Sequence, residues 1–113
     1  MKEDLLQYKL CGYLRQRGIS FFHVPNGGYR RPREAAKLKT LGVRAGVADL
    51  VLLVKNGVTI FIELKVEKGR LSDSQKEFQR DVTQLGFNFY VIKADSIQSG
   101  VEQLGQILEM YDL

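Results

Sequence analysis

Residues 49–65, DLVLLVKNGVTIFIELK, place two short apolar runs on either side of Asn56-Gly57. The runs 49–55 and 58–65 are rich in β-branched and aromatic side chains and bounded by turn signals, so they read as an antiparallel pair of strands. Their register decides what the pair can do. A two-residue turn at Asn56-Gly57 would set Lys55 against Val58 and Asp49 against Leu64, sending the two acids to opposite sides of the sheet. A three-residue loop of Lys55, Asn56 and Gly57, with Gly57 left-handed in a bulge, instead pairs Val54 with Val58 and Asp49 with Glu63. That register gathers Leu50, Leu52, Val54, Val58, Ile60 and Ile62 on one face. Asp49, Val51, Leu53, Thr59, Phe61, Glu63 and Lys65 fall on the other. Because it separates an all-apolar face from one carrying the acids, the three-residue loop is the expected connection, although a bulge near Ala48 would bring about the same convergence.

Opposed carboxylates on neighbouring strands have Cβ atoms roughly 5 Å apart. Like charges that close are unfavourable unless one is protonated or a cation bridges them. Oxygen ligands with room for water and a phosphate suit Mg²⁺ or Mn²⁺. Lys65, two residues along the strand from Glu63, shares its face, where an ammonium can orient an attacking water and stabilise charge growing on phosphorus. The plain alternative is a surface salt bridge of Asp49 and Glu63 with Lys65, contributing about 0 to 1 kcal/mol.

The surrounding sequence favours the first reading. Gly42-Val43-Arg44-Ala45-Gly46-Val47-Ala48-Asp49-Leu50, then Glu63-Leu64-Lys65 after thirteen residues beyond Asp49, then Leu71-Ser72-Asp73-Ser74-Gln75, resembles the virus-type replication-repair nuclease (VRR-NUC) domain, a branch of the PD-(D/E)xK superfamily. His23-Val24-Pro25-Asn26-Gly27-Gly28 with Arg30 is similar to the matching stretch of its short, stand-alone phage and bacterial members. Each piece alone is weak, whereas their order and spacing together are specific. One departure is that Ala48 stands where the proline of the motif would be, which removes only a stiffener of the approach to the strand. The resemblance implies a restriction-endonuclease-like αβββαβ core, a mixed central sheet flanked by helices. It also implies Asp49 and Glu63 as metal ligands, the Leu64 carbonyl as a further one, and Lys65 as the catalytic lysine. A family glutamate on the first helix, which Glu3 matches, can complete the metal site, and a family glutamine near the active site is matched by Gln75.

The chain has 113 residues, enough for one domain and its core but not for a separate recognition module. Hydrophobic content of 44% and charged content of 27% fit a soluble globular class. Lone Cys11 cannot form an internal disulfide and reads as a small packed residue of a reducing compartment. The N-terminal MKEDLLQYKL is charged rather than signal-like, and no apolar run approaches the roughly 20 residues of a membrane span. The expected location is the cytoplasm of a bacterial or phage-infected cell.

The net charge of +4 is unevenly placed. Residues 29–46 carry Arg30, Arg31, Arg33, Lys37, Lys39 and Arg44 against Glu34 alone, a balance of +5, while the remainder is at −1. A basic segment just upstream of acidic Asp49 suits a protein that must hold a polyanion against carboxylates. A solvated helix face is the competing explanation.

Outward from the hairpin, residues 3–17 read as a helix with Leu6, Leu10, Tyr13 and Leu14 inward, ended by Gly18. Glu3 and Gln7 fall on the stripe of Leu10 and Leu14. Glu3's competing role is to serve the helix dipole near the N-terminus, and Asp4 could compete for either job, metal ligand or dipole partner. Residues 20–24 form a strand, and Pro25-Asn26-Gly27-Gly28 turns the chain. His23, the sole histidine, is expected to be structural or a phosphate contact ahead of a general base. Asn26 joins it among the expected nucleic-acid contacts. A short basic helix spans 32–41, starting at Pro32 and stopping at Gly42. Gly42 and Gly46 then offer a flexible approach where nucleic acid could come close to the backbone. Ser72 and Gln75 form a capping box, with Phe78, Val82 and Leu85 continuing an inward stripe to Gly86. Residues 87–92 supply a strand, and Ile97, Val101, Leu104, Leu108 and Tyr111 mark a last amphipathic helix.

The expectation is a Mg²⁺/Mn²⁺-dependent endonuclease cutting DNA by in-line attack of a Lys65-oriented water, leaving 5′-phosphate and 3′-hydroxyl ends as the family implies. Recognition of branched, Holliday-junction-like DNA by a symmetric homodimer follows from one small site per chain. A non-catalytic nucleic-acid-binding module and an RNA nuclease of the same metal chemistry are the alternatives.

Overall fold

A computed structural model describes residues 1–25 and 31–113. The elements run α1 (Glu3–Gln16), β1 (Ser20–His23), α2 (Pro32–Thr40), β2 (Leu50–Val54), β3 (Val58–Val66), α3 (Asp73–Gln84), β4 (Asn88–Ala94) and α4 (Ile97–Met110). The four strands form one mixed sheet in the order β1-β2-β3-β4, antiparallel across the first two pairings and parallel across the third. A parallel pair cannot be joined by a tight turn, and α3 supplies the crossover. The result is a mixed α/β fold with helices on both faces of the sheet.

The hairpin has the register that puts the acids together. Val54 pairs with Val58, Leu52 with Ile60 and Leu50 with Ile62, so Asp49 stands opposite Glu63 one step beyond the last recorded pair. The turn differs in one respect from expectation, since Asn56 (φ 64°) is left-handed as well as Gly57 (φ 70°). Asparagine enters that region more readily than other non-glycine residues.

The two faces then find different partners. Leu50, Leu52, Ile60, Ile62 and Leu64, with Ile92, pack against Leu6, Leu10 and Leu14 of α1 and Leu104 and Leu108 of α4, all fully buried. Each such side chain contributes roughly 1.5–3 kcal/mol relative to exposure. Cys11 is buried at the edge of this core, and burial pushes its thiol up from the usual value. The opposite face carries a smaller cluster of Ala48, Phe78 and Val82 with Phe61 and Phe89, where Phe61 meets Phe78 edge-on at 5.3 Å. This cluster seats α3.

Three expectations need correction. Leu85 is 74% exposed rather than inward, because it is the C-cap residue, where the chain leaves the helix before left-handed Gly86. The fourth strand runs two residues further than expected and omits Phe87, whose N–H is bonded to the Val82 carbonyl in the helix-ending turn. Gly46 is not an open approach. A Cβ there would lie 2.3 Å from the carbonyl carbon and oxygen of Ser74, so the bare backbone of Gly46 lets the 42–48 loop pack on the start of α3. Among the described residues no helix is long and apolar enough to cross a membrane.

Candidate metal centre and nuclease site

β2 begins at Leu50, while its neighbour β3 runs on to Val66, so the end of β3 lacks a strand partner on the β2 side. The gap is closed by a side chain. The Leu64 N–H, which has passed the end of β2, donates to Asp49 Oδ2 at 2.7 Å. Asp49 is itself held by its backbone, because its carbonyl accepts from the Val24 N–H at 3.1 Å and lies 2.7 Å from His23 Nδ1. A carbonyl can only accept, so Nδ1 carries the hydrogen and Nε2 is left free of this contact. His23 therefore positions the strand end that presents Asp49.

Glu63 comes from inside β3 and is 1% exposed, the sole charged side chain fully buried among the described residues. Glu3 reaches the same place from the first turn of α1. One oxygen from each of Glu3, Asp49 and Glu63 lies within 4.8 Å of the others. Glu3, not Asp4, is thus the helix acid that joins the pair, while Asp4 lines the adjoining cavity. Lys65 Nζ is 3.8 Å from Glu63 Oε2, close enough for Coulomb attraction but too long for a hydrogen bond. Gln75 serves two roles at once. Its Oε1 accepts from the Ser72 N–H at 2.8 Å in the capping box, and its Nε2 points at Glu63 Oε2 across 3.4 Å. The other Glu63 oxygen, Oε1, is buried with no hydrogen-bond partner.

The electrostatics follow from this crowding. Burial first, and then the hydrogen bonding and negative charge of Asp49, push the Glu63 carboxyl up to about 9 against the pull of Lys65. Burial also raises Glu3, with Lys65 opposing and Asp49 and Asp4 adding to the shift. Two ionised carboxylates have no hydrogen to share, so only a proton or a cation reconciles Asp49 with Glu63. An all-oxygen donor set with an orphaned buried oxygen fits a hard divalent ion. In a strand, a residue's N–H and C=O face the same neighbour. The Leu64 carbonyl therefore shares the Asp49 side of β3 and is a further oxygen for the set.

A cavity of about 460 Å³ opens beside the cluster, lined by Glu3, Gln7, His23, Asp49, Ser74 and Gln75 among others. The serines at the start of α3 were not singled out from sequence as site residues, and their capping pattern was the available signal. Gly46 forms part of the same wall. Gly46→Ala, with a Cβ driven into Ser74 and a φ of 81°, is expected to destabilise the protein by on the order of 2–3 kcal/mol in urea denaturation. Gly42→Ala, at a φ of 102° but with open space around it, should cost less.

The basic residues do not join the cluster. Arg31, Arg33, Lys37 and Lys39 are exposed on or beside α2, none of whose residues is buried. Arg44 forms an ion pair with Asp81 at 2.5 Å and lies 5.1 Å over the Phe78 ring, which ties the loop to α3. Asn26 and Arg30 fall outside the described residues.

A family model, the VRR-NUC domain, matches residues 2–96. Among solved structures, one described as a VRR-NUC domain protein matches with a TM-score of 0.76 at 24% identity, over 96% of this chain and 89% of that one. A second, described as a VRR-NUC domain, has a TM-score of 0.64 at 20% identity, over 96% of each chain. At these identities the structural likeness speaks to fold. No curated protein matches the chain. The family model spans every element from the first helix to the fourth strand, including all the residues of the acidic cluster, and the chain belongs to the VRR-NUC domain family.

Proposed function

We propose that the protein is an endonuclease that hydrolyses DNA phosphodiester bonds with Mg²⁺ or Mn²⁺. The observation that carries this reading is the meeting of three carboxylates from three separate elements, beside one lysine, with a buried oxygen left unpartnered. Glu3, Asp49 and Glu63 would hold the ion, with the Leu64 carbonyl completing the set. When bound, the ion supplies Lewis acidity toward the scissile phosphate and lowers the pKa of a ligated water.

The chain's own residues do the rest. Lys65 places its ammonium beside Glu63, where it orients the attacking water and offsets charge that grows on the phosphate oxygens. Gln75, anchored in the capping box, keeps the Glu63 carboxylate turned toward Asp49. His23 holds the Asp49 backbone and can offer its other ring nitrogen toward a phosphate. Arg31, Arg33, Lys37 and Lys39 bind the DNA backbone from α2, and their exposure leaves them available for it. Arg44 joins them, since its rim ion pair with Asp81 contributes only about 0–1 kcal/mol and is readily exchanged for a phosphate. Asn26 and Arg30 belong to the same proposed set.

With one site per chain, double-strand processing of branched DNA calls for a homodimer in which each subunit cuts one strand. The test is a panel of linear duplex, flap, four-way-junction and RNA substrates with Mg²⁺, Mn²⁺ or EDTA. Metal-dependent cutting of DNA, fastest on the junction, is the expected result. No cutting with either metal would leave a nucleic-acid-binding module, and preferred cutting of RNA would change the substrate class. A monomer in analytical ultracentrifugation would rule out the dimer.

A further inference from the structure

The parallel register of β3 and β4 sets Lys65 beside Lys93. Partner residues on neighbouring strands point to the same face, and the strands lie about 4.8 Å apart. The face is the one that carries the acids. Phe61 and Phe89, themselves register partners, both meet Phe78 of α3 edge-on, and a period of two leads from them through Glu63 and Val91 to Lys65 and Lys93.

The two lysines are held differently. The Lys65 side chain is 12% exposed and its Nζ lies 3.8 Å from Glu63 Oε2. The turn after β3 folds back on its stem, since the Gly69 N–H donates to the Val66 carbonyl at 2.8 Å and a Cβ on Gly69 would stand 3.5 Å from Lys65 Cδ. Lys93 is exposed and forms no ion pair among the described residues. Like charges side by side on adjacent strands oppose each other, and an anion shared between them would offset that repulsion. Guarding a sheet edge is the ordinary reason for a lysine on an outer strand. Here Gln103 Nε2 of α4 already donates to the Lys93 carbonyl at 2.9 Å, so the outer edge of β4 is closed at that residue without the ammonium.

Position decides which anion is meant. Asp49 stands just before β2, Glu63 and Lys65 lie on β3, and Lys93 lies on β4. Basic α2 stands toward the other side, where its Glu34 and Leu38 share a cavity of about 840 Å³ with Phe22 of β1 and Val51 and Leu53 of β2. The acids therefore lie between the cations of α2 and Lys93. A nucleic-acid strand held over carboxylates needs its phosphates gripped on both sides of them, because the acids repel each phosphate that no cation bridges. We propose that Lys93, together with Lys65, forms a subsite for the backbone phosphate next to the scissile one, on the side of the metal centre away from α2. This deepens the nuclease reading and rests on it for which phosphate is cut.

Binding of a short duplex DNA by the parent chain in EDTA, followed by fluorescence anisotropy over a series of salt concentrations, tests it. Each lysine that neutralises a duplex phosphate contributes roughly 0.9 to the slope of log affinity against log salt. Lys93→Gln should lower affinity by about tenfold near about 0.1 M salt and flatten the slope by about 0.9. Lys93→Arg should keep both, since it keeps the charge at the same strand position. Lys9→Gln, which removes the same charge from an exposed place on α1, should change neither. With Mn²⁺, Lys93→Gln should raise KM and leave kcat within about threefold. An unchanged slope in Lys93→Gln, or an equal fall in Lys9→Gln, would overturn the subsite. Failure of the nuclease reading would show instead as a parent protein that cuts nothing with Mg²⁺ or Mn²⁺, whatever the slope in EDTA.

Discussion

Asp49→Asn is expected to reduce metal-dependent cleavage by about a thousandfold or more, while DNA binding persists and the metal-free fold is no less stable. Asparagine keeps the shape of the side chain and an oxygen that can still accept from the Leu64 N–H, so the end of β3 stays capped. What it removes is a negative charge from a cluster in which Glu63 is buried and already raised. Loss of that charge weakens the hold on a divalent ion and stops the chemistry. In EDTA the same loss relieves repulsion, with a gain on the order of 1 kcal/mol. Initial cleavage rates, anisotropy binding and thermal melting in EDTA would be compared between parent and variant. Undiminished cutting by the variant would remove Asp49 from the mechanism, and a fall in metal-free stability would mean that its role is chiefly structural. Lys65→Met should be milder, about a hundredfold to a thousandfold in rate, with metal binding retained.

The second large effect is on stability against pH. A glutamate ordinarily titrates near 4.5, and Glu63 in the folded protein does so at about 9. Between those values the folded state holds a proton that the unfolded chain has released. Glu63 therefore supports the metal-free fold fully below about pH 4.5, and that support drains away as pH rises toward 9. The slope reaches at most about 1.4 kcal/mol per pH unit, an upper limit because water entering the site eases ionisation. Glu3, also raised, acts in the same direction. Exposed Glu67, lowered by its hydrogen bond and ion pair with the N-terminal ammonium at 2.8 Å, acts in the opposite sense at acid pH. Denaturant titrations in EDTA between about pH 5 and pH 9 should show stability falling, and saturating Mn²⁺ should flatten or reverse the trend because the cation takes the place of the proton. Glu63→Gln should flatten it without metal. A metal-free stability that does not fall over this range would show that Glu63 is ionised without assistance.

The hairpin was legible because a period of two, read over both strands, fixes the parity that keeps Leu50, Leu52, Ile60 and Ile62 together, and the short Lys55-Asn56-Gly57 loop then selects the register. Local chemistry of the same kind made the Ser72–Gln75 capping box readable, along with the helix stops at Gly18 and Gly86. What local pattern leaves open is packing between distant segments. Gly46 is a glycine because of Ser74, nearly thirty residues away in the chain, and nothing around Gly46 announces it. Leu85 satisfies the helical period yet points into water, because the helix ends before the period does. Asp4, beside Glu3 on the helix start, could compete for its role, and the approach of α1 to the end of β3 is what separates the two.

Glu3, Asp49 and Glu63 are either a cation site or a crowded set of acids kept quiet by protons. A crystal grown with Mn²⁺ and measured at the manganese absorption edge separates the two. Anomalous density bonded to Asp49 and Glu63 and within reach of Glu3 is the predicted result. A well-ordered site with no anomalous density between these carboxylates, at a manganese concentration that supports cleavage, would contradict it.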